Sequence, residues 1–245
     1  MDEPVRVREQ PCQETTEAPR VLEGSQAGSA LEGGSQAPAA VLGCLLSVGH
    51  SNHPLDKLLD LLKTHRIEVL VDIRSLPRSS YSPHFDQAPL KQAVKGARIR
   101  YLFLGKELGG RPEGEEFYDS EGYVLYGRLA QSPLFLKGID RVLEGVKRFR
   151  IALLCSEEDP EGCHRRLLVG RVLASRGFAL THIRGDGRLQ TEAELEAEVV
   201  RRRTRGQPTL FGPRDADKER EWKSVRSVSP SGRQRASSGP SAKQA

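Results

Sequence analysis

The chain has 245 residues, of which 37% are apolar, and its formal net charge is +5. This length suits one domain with a hydrophobic core plus polar extensions, and the four scattered cysteines argue against a small secreted protein held by disulfides. No apolar run approaches the roughly 20 residues that span a bilayer, and the amino terminus has no signal-peptide pattern. We therefore expect a soluble, cytoplasmic protein.

Two polar segments flank the central part of the chain. Residues 1–40 are rich in Gly, Ser, Gln, Ala and Glu, and residues 212–245 are rich in Ser, Gly, Arg, Pro and Lys. Such compositions bury too little apolar surface to offset the entropy lost on ordering. We predict a disordered leader over 1–40, a single domain over 41–211 and a basic disordered tail over 212–245, in which Trp222 has no explanation.

Short apolar runs alternate with segments of helical period through the domain, which is typical of strands joined by crossover helices. The predicted strands are, in chain order, 42–48, 69–73, 99–104, 151–155 and 178–183. The predicted helices are 54–62, 89–95, 133–148, 163–175 and 191–205, the last opened by a capping box of Thr191 and Glu194. The glycine-rich, charged segment 105–122 is predicted to be an irregular loop.

The strands are nearly continuous apolar runs, which indicates burial on both faces. We predict an α/β fold, with an open, mostly parallel sheet of about five strands and helices on both faces. Ligands bind such sheets beyond the carboxyl ends of the strands. The polar residues that the sequence places at those ends are His50, Ser51, Asp72, Arg74, Glu107, Cys155, Ser156, Glu157, Arg184 and Asp186.

The segment 155–166, CSEEDPEGCHRR, is the most unusual in the chain. If Asp159 caps the following helix, Cys163 and His164 lie where free N–H groups favour a thiolate. The alternative is that both cysteines are small buried residues. A tyrosine-phosphatase-type phosphate loop is excluded, because Glu161 occupies the position of its arginine.

A metal site is another interpretation of the same residues. Cys155, Cys163 and His164, with His50 as a further candidate, could surround zinc in a tetrahedron. Their spacing does not match that of a zinc ribbon or a zinc finger.

Three further features allow both a functional and a structural interpretation. His50 suits a general base, a phosphate ligand or a hydrogen-bonded structural residue. Asp72 ends an apolar strand and requires a partner, such as Arg74 or a backbone donor. The loop 79–85, together with Gly109, Gly110 and Arg111, suits a pocket for a flat or phosphorylated ligand, or a loop pinned to the core.

The segments GHSNHP, VDIRSLPRS, ELGG, CSEEDPEGCHR and QPTLF occur in this order between residue 43 and about residue 211. In this combination the chain resembles the family described as domain of unknown function 488. The resemblance implies an α/β domain but supplies no reaction. It implies motif positions at His50, Ser51, Asp72, Arg74, Pro77, Arg78, Gly109, Gly110, Cys155, Glu157, Cys163, His164 and Arg165.

Our leading hypothesis is an enzyme acting on a phosphorylated, nucleotide-like or nucleic-acid substrate. In it, the candidate catalytic residues are His50, Cys155, Cys163 and His164. The candidate substrate-binding residues are Ser51, Asp72, Arg74, Arg78, Gly109, Gly110, Glu157 and Arg165. The competing hypotheses are a noncatalytic nucleic-acid binding module that uses the basic tail and the loop arginines, and a structural metal site on Cys155, Cys163 and His164.

Overall fold

The computed structural model describes residues 45–79, 81–204 and 222–228. A six-stranded sheet has the order β3-β2-β5-β1-β6-β7, and a two-stranded sheet pairs β4 with β8. The strands are β1 (Leu45–Gly49), β2 (Val69–Asp72), β3 (Arg100–Phe103), β4 (Tyr123–Leu125), β5 (Ile151–Cys155), β6 (Thr181–Ile183), β7 (Leu189–Gln190) and β8 (Lys223–Ser227). The α-helices are α1 (Leu55–Thr64), α2 (Gln87–Gly96), α3 (Gly105–Leu108), α4 (Tyr126–Leu129), α5 (Pro133–Val146), α6 (Arg171–Ser175) and α7 (Glu192–Arg203).

Both faces of the large sheet are covered by helices, because its strands alternate apolar side chains between the two faces. One core contains Leu46 and Val48 of β1 with the buried leucines of α1 and α2. The other contains Leu45 of β1 with apolar side chains of α3, α5 and α6. The strands of this sheet are parallel except β7, so the predicted mostly parallel α/β fold is confirmed.

The connections leave the sheet toward different faces, which opens a crevice at the carboxyl ends of its central strands. The chain passes from β1 and β2 to the helices of one face, and from β5 to those of the other. Because β5 lies between β1 and β2, the ends of these three strands meet at the point where the connections diverge. Open α/β sheets bind ligands at such a point.

Several elements differ from the sequence predictions. The sixth strand, β7, is antiparallel to β6 and only two residues long, too short to give a pattern. The segment predicted as an irregular loop contains α3 and a 3₁₀ turn at Glu115–Phe117, so that prediction was wrong in part. The helix predicted over 163–175 is two pieces, a π-helical turn at Arg165–Gly170 followed by α6. The predicted capping box at Thr191 is confirmed.

The predicted disordered tail contains an ordered strand. Residues 222–228 include β8, which pairs antiparallel with β4, and Val124 N–H donates to Ser224 Oγ at 2.9 Å. Trp222 precedes the strand and donates from Nε1 to the carbonyl of Leu167 at 2.8 Å. The predicted leader and the other tail residues lie outside the described residues, as do 41–44 and 205–211 of the predicted domain. Within the described ranges, no helix has the length and apolar character to cross a membrane.

Candidate functional site

Several of the predicted residues line one cavity of about 300 Å³ at the carboxyl ends of the central strands. Cys155, the last residue of β5, and His164, at the start of the π-helical turn, contribute to its wall. The lining residues are Arg74, Ser75, Leu76, Arg78, Gly110, Arg111, Tyr126, Cys155, Ser156, Glu157, Gly162, His164, Ser224, Val225, Arg226 and Val228. We call this space the Cys155 cavity.

A thiol and an imidazole face each other at this cavity. Cys155 Sγ lies 3.6 Å from His164 Nδ1, and the other ring nitrogen, Nε2, donates to the carbonyl of Ile73 at 3.1 Å. Because this bond requires a proton on Nε2, it leaves Nδ1 free to share a proton with the sulfur. Gly110 lies against the ring, since a Cβ there would come within 2.8 Å of it.

The two cysteines differ in exposure and in acidity. Cys155 lines the cavity, whereas Cys163 is 1% exposed, and its Sγ lies 3.9 Å from His164 Nδ1. A hydrogen bond from Cys163, followed by the nearby His164 charge, lowers the pKa of Cys155 well below its usual value. Burial, followed by the bond to Cys155, raises the pKa of Cys163. Cys155 is therefore the more acidic thiol of the pair.

The contact with Cys155 also favours the protonated form of His164. Burial alone lowers the pKa of this imidazole, but the negative charge and hydrogen bond of Cys155 outweigh it, and the net shift is upward. A thiolate beside an imidazolium is the usual arrangement of an activated cysteine nucleophile.

A second buried network positions Arg74. Its Nε and Nη2 donate to the two carboxylate oxygens of Asp72 at 2.9 and 2.6 Å, and Tyr101 donates to the same carboxylate at 2.6 Å. Asp72 is fully buried and Arg74 is 3% exposed. The predicted Asp72–Arg74 pairing is therefore present, with the arginine rather than the carboxylate on the cavity wall.

His50 completes this network. Its Nε2 lies 3.1 Å from Arg74 Nη1, and its Nδ1 lies 2.6 Å from the carbonyl of Ser51. Since the guanidinium can only donate, Nε2 accepts and the ring proton is on Nδ1. Burial, followed by the Arg74 charge, lowers the pKa of His50 to about 4. His50 is therefore a neutral hydrogen-bond acceptor that holds Arg74.

The cavity is rich in positive charge. Arg74, Arg78, Arg111 and Arg226 line it, and Glu157 supplies the only carboxylate among the lining residues that the structure describes. Arg226 belongs to β8 and lies 3.7 Å from Glu157 Oε1. Guanidinium groups bind phosphate and carboxylate oxygens through paired donors, so this wall suits an anionic ligand.

Arg165, predicted as a substrate ligand, does not contribute to this wall. The side chain is fully buried, and its Nη1 and Nη2 donate to the carbonyls of Glu157 and Glu158, the latter at 2.5 Å. It therefore holds the loop after β5. Gly49 lies close to the same loop, because a Cβ there would lie 1.8 Å from the Glu157 carbonyl oxygen.

Other predicted residues lie apart from the cavity. Asp159 does not cap the helix, as its carboxylate accepts from Glu161 N–H and the helical turn begins after it. Gly109 packs against Ser75, and Ser51 adopts a left-handed backbone with φ 50° beside Asn52. Arg184 forms an ion pair with Glu158 at 2.9 Å.

Some residues of the site gave no signal in the sequence. Tyr101 lies 29 positions from the carboxylate that it contacts, and Arg226 lies in a segment whose composition resembles a tail. The only signal that pointed to order near Arg226 was Trp222, an aromatic residue in a polar stretch.

Cys155, Cys163 and His164 could also bind a metal ion, because their ligand atoms lie near one another. The sulfurs of Cys155 and Cys163 and a ring nitrogen of His164 all lie within 4.8 Å of one another. The His164 Nε2–H bond to a backbone carbonyl is the kind of contact that orients a metal-binding imidazole.

Comparison with known proteins gives one relationship. The family described as "Domain of unknown function DUF488" matches residues 54–172, a range that includes Asp72, Arg74, Cys155 and His164. No curated protein and no solved structure matches the chain. The matched range covers β2, β3 and β5 and their connections, so the residues around the Cys155 cavity are largely those of the family's domain. Residues 54–172 of the chain are thus similar to the DUF488 family.

Proposed function

We propose that the chain is an enzyme that uses Cys155 as a nucleophile toward a phosphorylated, nucleotide-like or nucleic-acid substrate. One observation carries the proposal: Cys155 Sγ lies 3.6 Å from His164 Nδ1 on the wall of a cavity that four arginines also line. The family whose model matches residues 54–172 supplies no reaction, so the proposal rests on this geometry.

The chemistry follows from the charges of the pair. The thiolate of Cys155 attacks an electrophilic phosphorus or carbon of the substrate and forms a covalent bond to sulfur. The leaving group takes the proton from His164 Nδ1, which returns the imidazole to its neutral form. Water then cleaves the covalent intermediate, with the neutral His164 accepting a proton from it.

The arginines bind the substrate's negative charge. Arg74 is held rigidly by Asp72 and His50, so it offers a fixed donor at the cavity wall. Arg78, Arg111 and Arg226 are exposed at the mouth. A donor that is already positioned costs no reorganisation when charge develops during the reaction.

Alkylation of the full-length protein by iodoacetamide tests the nucleophile. We expect labelling of Cys155 at pH 6.5 to stay within about tenfold of its rate at pH 8.5, whereas an unperturbed thiol would lose about 50-fold. Cys155→Ser removes this labelling. His164→Asn restores the steep pH dependence of an ordinary thiol. If the labelling rate of the wild-type protein falls between pH 8.5 and pH 6.5 as steeply as that of an unperturbed thiol, the proposal is contradicted.

A thermal-shift screen of nucleotides and sugar phosphates tests the substrate class. A ligand present at about 100 times its dissociation constant should raise the melting temperature by about 5 °C or more. The doubly substituted Arg78→Gln, Arg111→Gln protein should lose that shift without losing stability, because both side chains are exposed. A shift that survives in this variant indicates that the ligand binds elsewhere.

A metal centre on Cys155, Cys163 and His164 is the second candidate, favoured by the 4.8 Å limit on the separation of their ligand atoms. Cys163→Ser separates the two functions. A serine hydroxyl still donates to the Cys155 thiolate but is a poor zinc ligand, so fast alkylation persists if Cys155 is a nucleophile. Stoichiometric zinc in the wild-type protein that is lost in Cys163→Ser establishes the metal centre instead.

A further inference from the structure

Basic residues cluster at the amino ends of three strands, on the side of the sheet opposite the Cys155 cavity. An arginine followed by isoleucine lies at the start of each of three strands: Arg66 before β2, Arg98 before β3 and Arg150 directly before the first residue of β5. These strands are neighbours in the order β3-β2-β5, so their starts lie about 5 Å apart in the direction across the sheet. Three arginines are thereby brought together from distant parts of the sequence.

Helix termini do not explain these arginines. Cations in the last turn of a helix stabilise it through the helix dipole, and Lys63 and Lys95 occupy such positions. Arg66 and Arg98, in contrast, follow the helices in left-handed conformations, with φ 52° and 62°. Glycine or asparagine is usual in this conformation. The local backbone geometry therefore does not favour arginine at these two positions.

A groove of about 350 Å³ lies between α2 and the edge strand β3. Four of its six lining residues are cationic: Lys91, Lys95, Arg98 and Arg100, with Ile99 and Tyr101 as the others. No carboxylate of the described residues lines it. Within the same ranges none of the four cations forms an ion pair, and all four are exposed.

The positive surface continues from this groove to neighbouring strands. The guanidinium carbons of Arg100 and Arg148 lie 4.4 and 5.7 Å from the centroid of the half-buried Phe149 ring. Arg66 lies close enough to Arg150 that its charge, after burial, lowers the pKa of Arg150. Like charges held this close repel one another, and an anionic partner removes that repulsion.

We propose that the groove between α2 and β3, with the arginines beside it, binds the phosphate backbone of a single-stranded nucleic acid. The concave shape suits one strand, and the partly exposed Tyr101 ring in the groove gives a base a surface to stack on. An anionic membrane is a poorer match. The large exposed apolar side chains of the described residues, Leu76, Tyr81, Leu134, Val200 and Val225, belong to other segments. This site is separate from the Cys155 cavity and does not depend on its chemistry.

The test is binding of a labelled single-stranded oligonucleotide to the full-length protein at several salt concentrations. The triple variant Lys91→Gln, Lys95→Gln, Arg100→Gln removes three groove cations and leaves Arg98, with its left-handed backbone, unchanged. The matched control is Lys57→Gln, Lys137→Gln, Arg141→Gln, which removes the same charge from exposed positions on α1 and α5.

We expect the groove variant to bind at least about tenfold more weakly than the wild type at 0.1 M salt. The slope of log affinity against log salt should fall by about 0.7 for each lost contact, or about 2 in all. The control should bind like the wild type, and both variants should keep the wild-type melting temperature. An equal loss in the control, or an unchanged groove variant, overturns the proposal. So does tighter binding of duplex, or binding of phosphatidylserine vesicles with no binding of the oligonucleotide.

Discussion

His50 is of a residue type that is common in catalysis, but its role here is to position Arg74. Both of its ring nitrogens are engaged, Nε2 by the Arg74 guanidinium and Nδ1 by the Ser51 carbonyl. The ring also lies 4.2 Å from that of Phe85, which is completely buried. A general base must have a free lone pair near its substrate, and this imidazole has none. The sequence correctly predicted that His50 lies at the carboxyl ends of the strands, but it could not show which atoms surround the imidazole.

The lowered pKa of His50 predicts a dependence of stability on pH. The unfolded histidine takes up a proton below about pH 6.5, whereas the folded one does so only near pH 4. The folded state therefore loses stability as pH falls between these values, by about 2 kcal/mol at pH 5 relative to pH 7. His50→Gln keeps an acceptor for Arg74 and has no proton to gain, so it should lack this part of the loss.

Urea unfolding at pH 7 and pH 5 measures this effect. Other titrating groups contribute equally to both proteins, so the difference between the wild type and His50→Gln isolates the imidazole. The same change in unfolding free energy for both proteins would show that His50 is not held neutral.

At the scale of elements, β1 and the loop after β5 approach each other so closely that only glycine fits between them. The Gly49 Cα faces the Glu157 carbonyl, and that carbonyl also accepts from the buried Arg165. The strand end, the loop and the π-helical turn thus form one unit around the Cys155 thiol.

Gly49→Ala should destabilise the protein by about 3 kcal/mol or more, because its Cβ meets backbone atoms that cannot rotate away. Gly96→Ala is the matched control. Gly96 ends α2, and nothing lies within 4 Å of a Cβ built there, so alanine should be neutral or up to about 1 kcal/mol stabilising. Melting temperatures of both variants check the prediction, and equal values for the two would contradict it.

The elements that the sequence predicted well are those with strong periodicity. Strand β5 was predicted to the residue, and helix α1 follows its leucine spacing. Most of the elements missed were short: β4, β7, α3 and α4 have three, two, four and four residues, too few to establish a period. Strand β8 has five residues but lies in a stretch whose composition is typical of a polar tail. Their existence depends on contacts with distant segments, such as the pairing of β4 with β8.

At the scale of the whole molecule, a distant segment completes the cavity. Ser224, Val225, Arg226 and Val228 line it, although Ser224 lies 69 positions after Cys155 in the sequence. Trp222 anchors this segment through its bond to Leu167, and the Arg171 guanidinium carbon lies 4.5 Å above its ring. Composition alone could not predict such a wall, since the surrounding sequence is polar and rich in serine and arginine.

Trp222→Ala should release β8 and open the Cys155 cavity. We expect labelling of Cys155 by a bulky maleimide to accelerate, whereas labelling by the smaller iodoacetamide changes little. Global stability should fall by only about 2 kcal/mol, because the ring is partly exposed. Trp222→Phe keeps a ring and loses only the hydrogen bond, so it should lie between the wild type and Trp222→Ala. Unchanged maleimide rates in Trp222→Ala would show that β8 stays in place.

The π-helical turn at Arg165–Gly170 fixes the rotational register between His164 and α6. In it, the Arg171 N–H bonds to the carbonyl of Arg166, five positions earlier, so the turn has one more residue than an α-helix needs. The wider turn absorbs this residue, so the residues before and after it keep nearly the rotational positions that they would have on a regular helix. Deleting one residue within the turn should therefore leave the His164 imidazole directed toward β5, whereas deleting one residue from the regular α6 would turn its two parts by about 100° relative to each other. The chain can thus be shortened by one residue between the proton donor and α6 without separating that donor from the thiol.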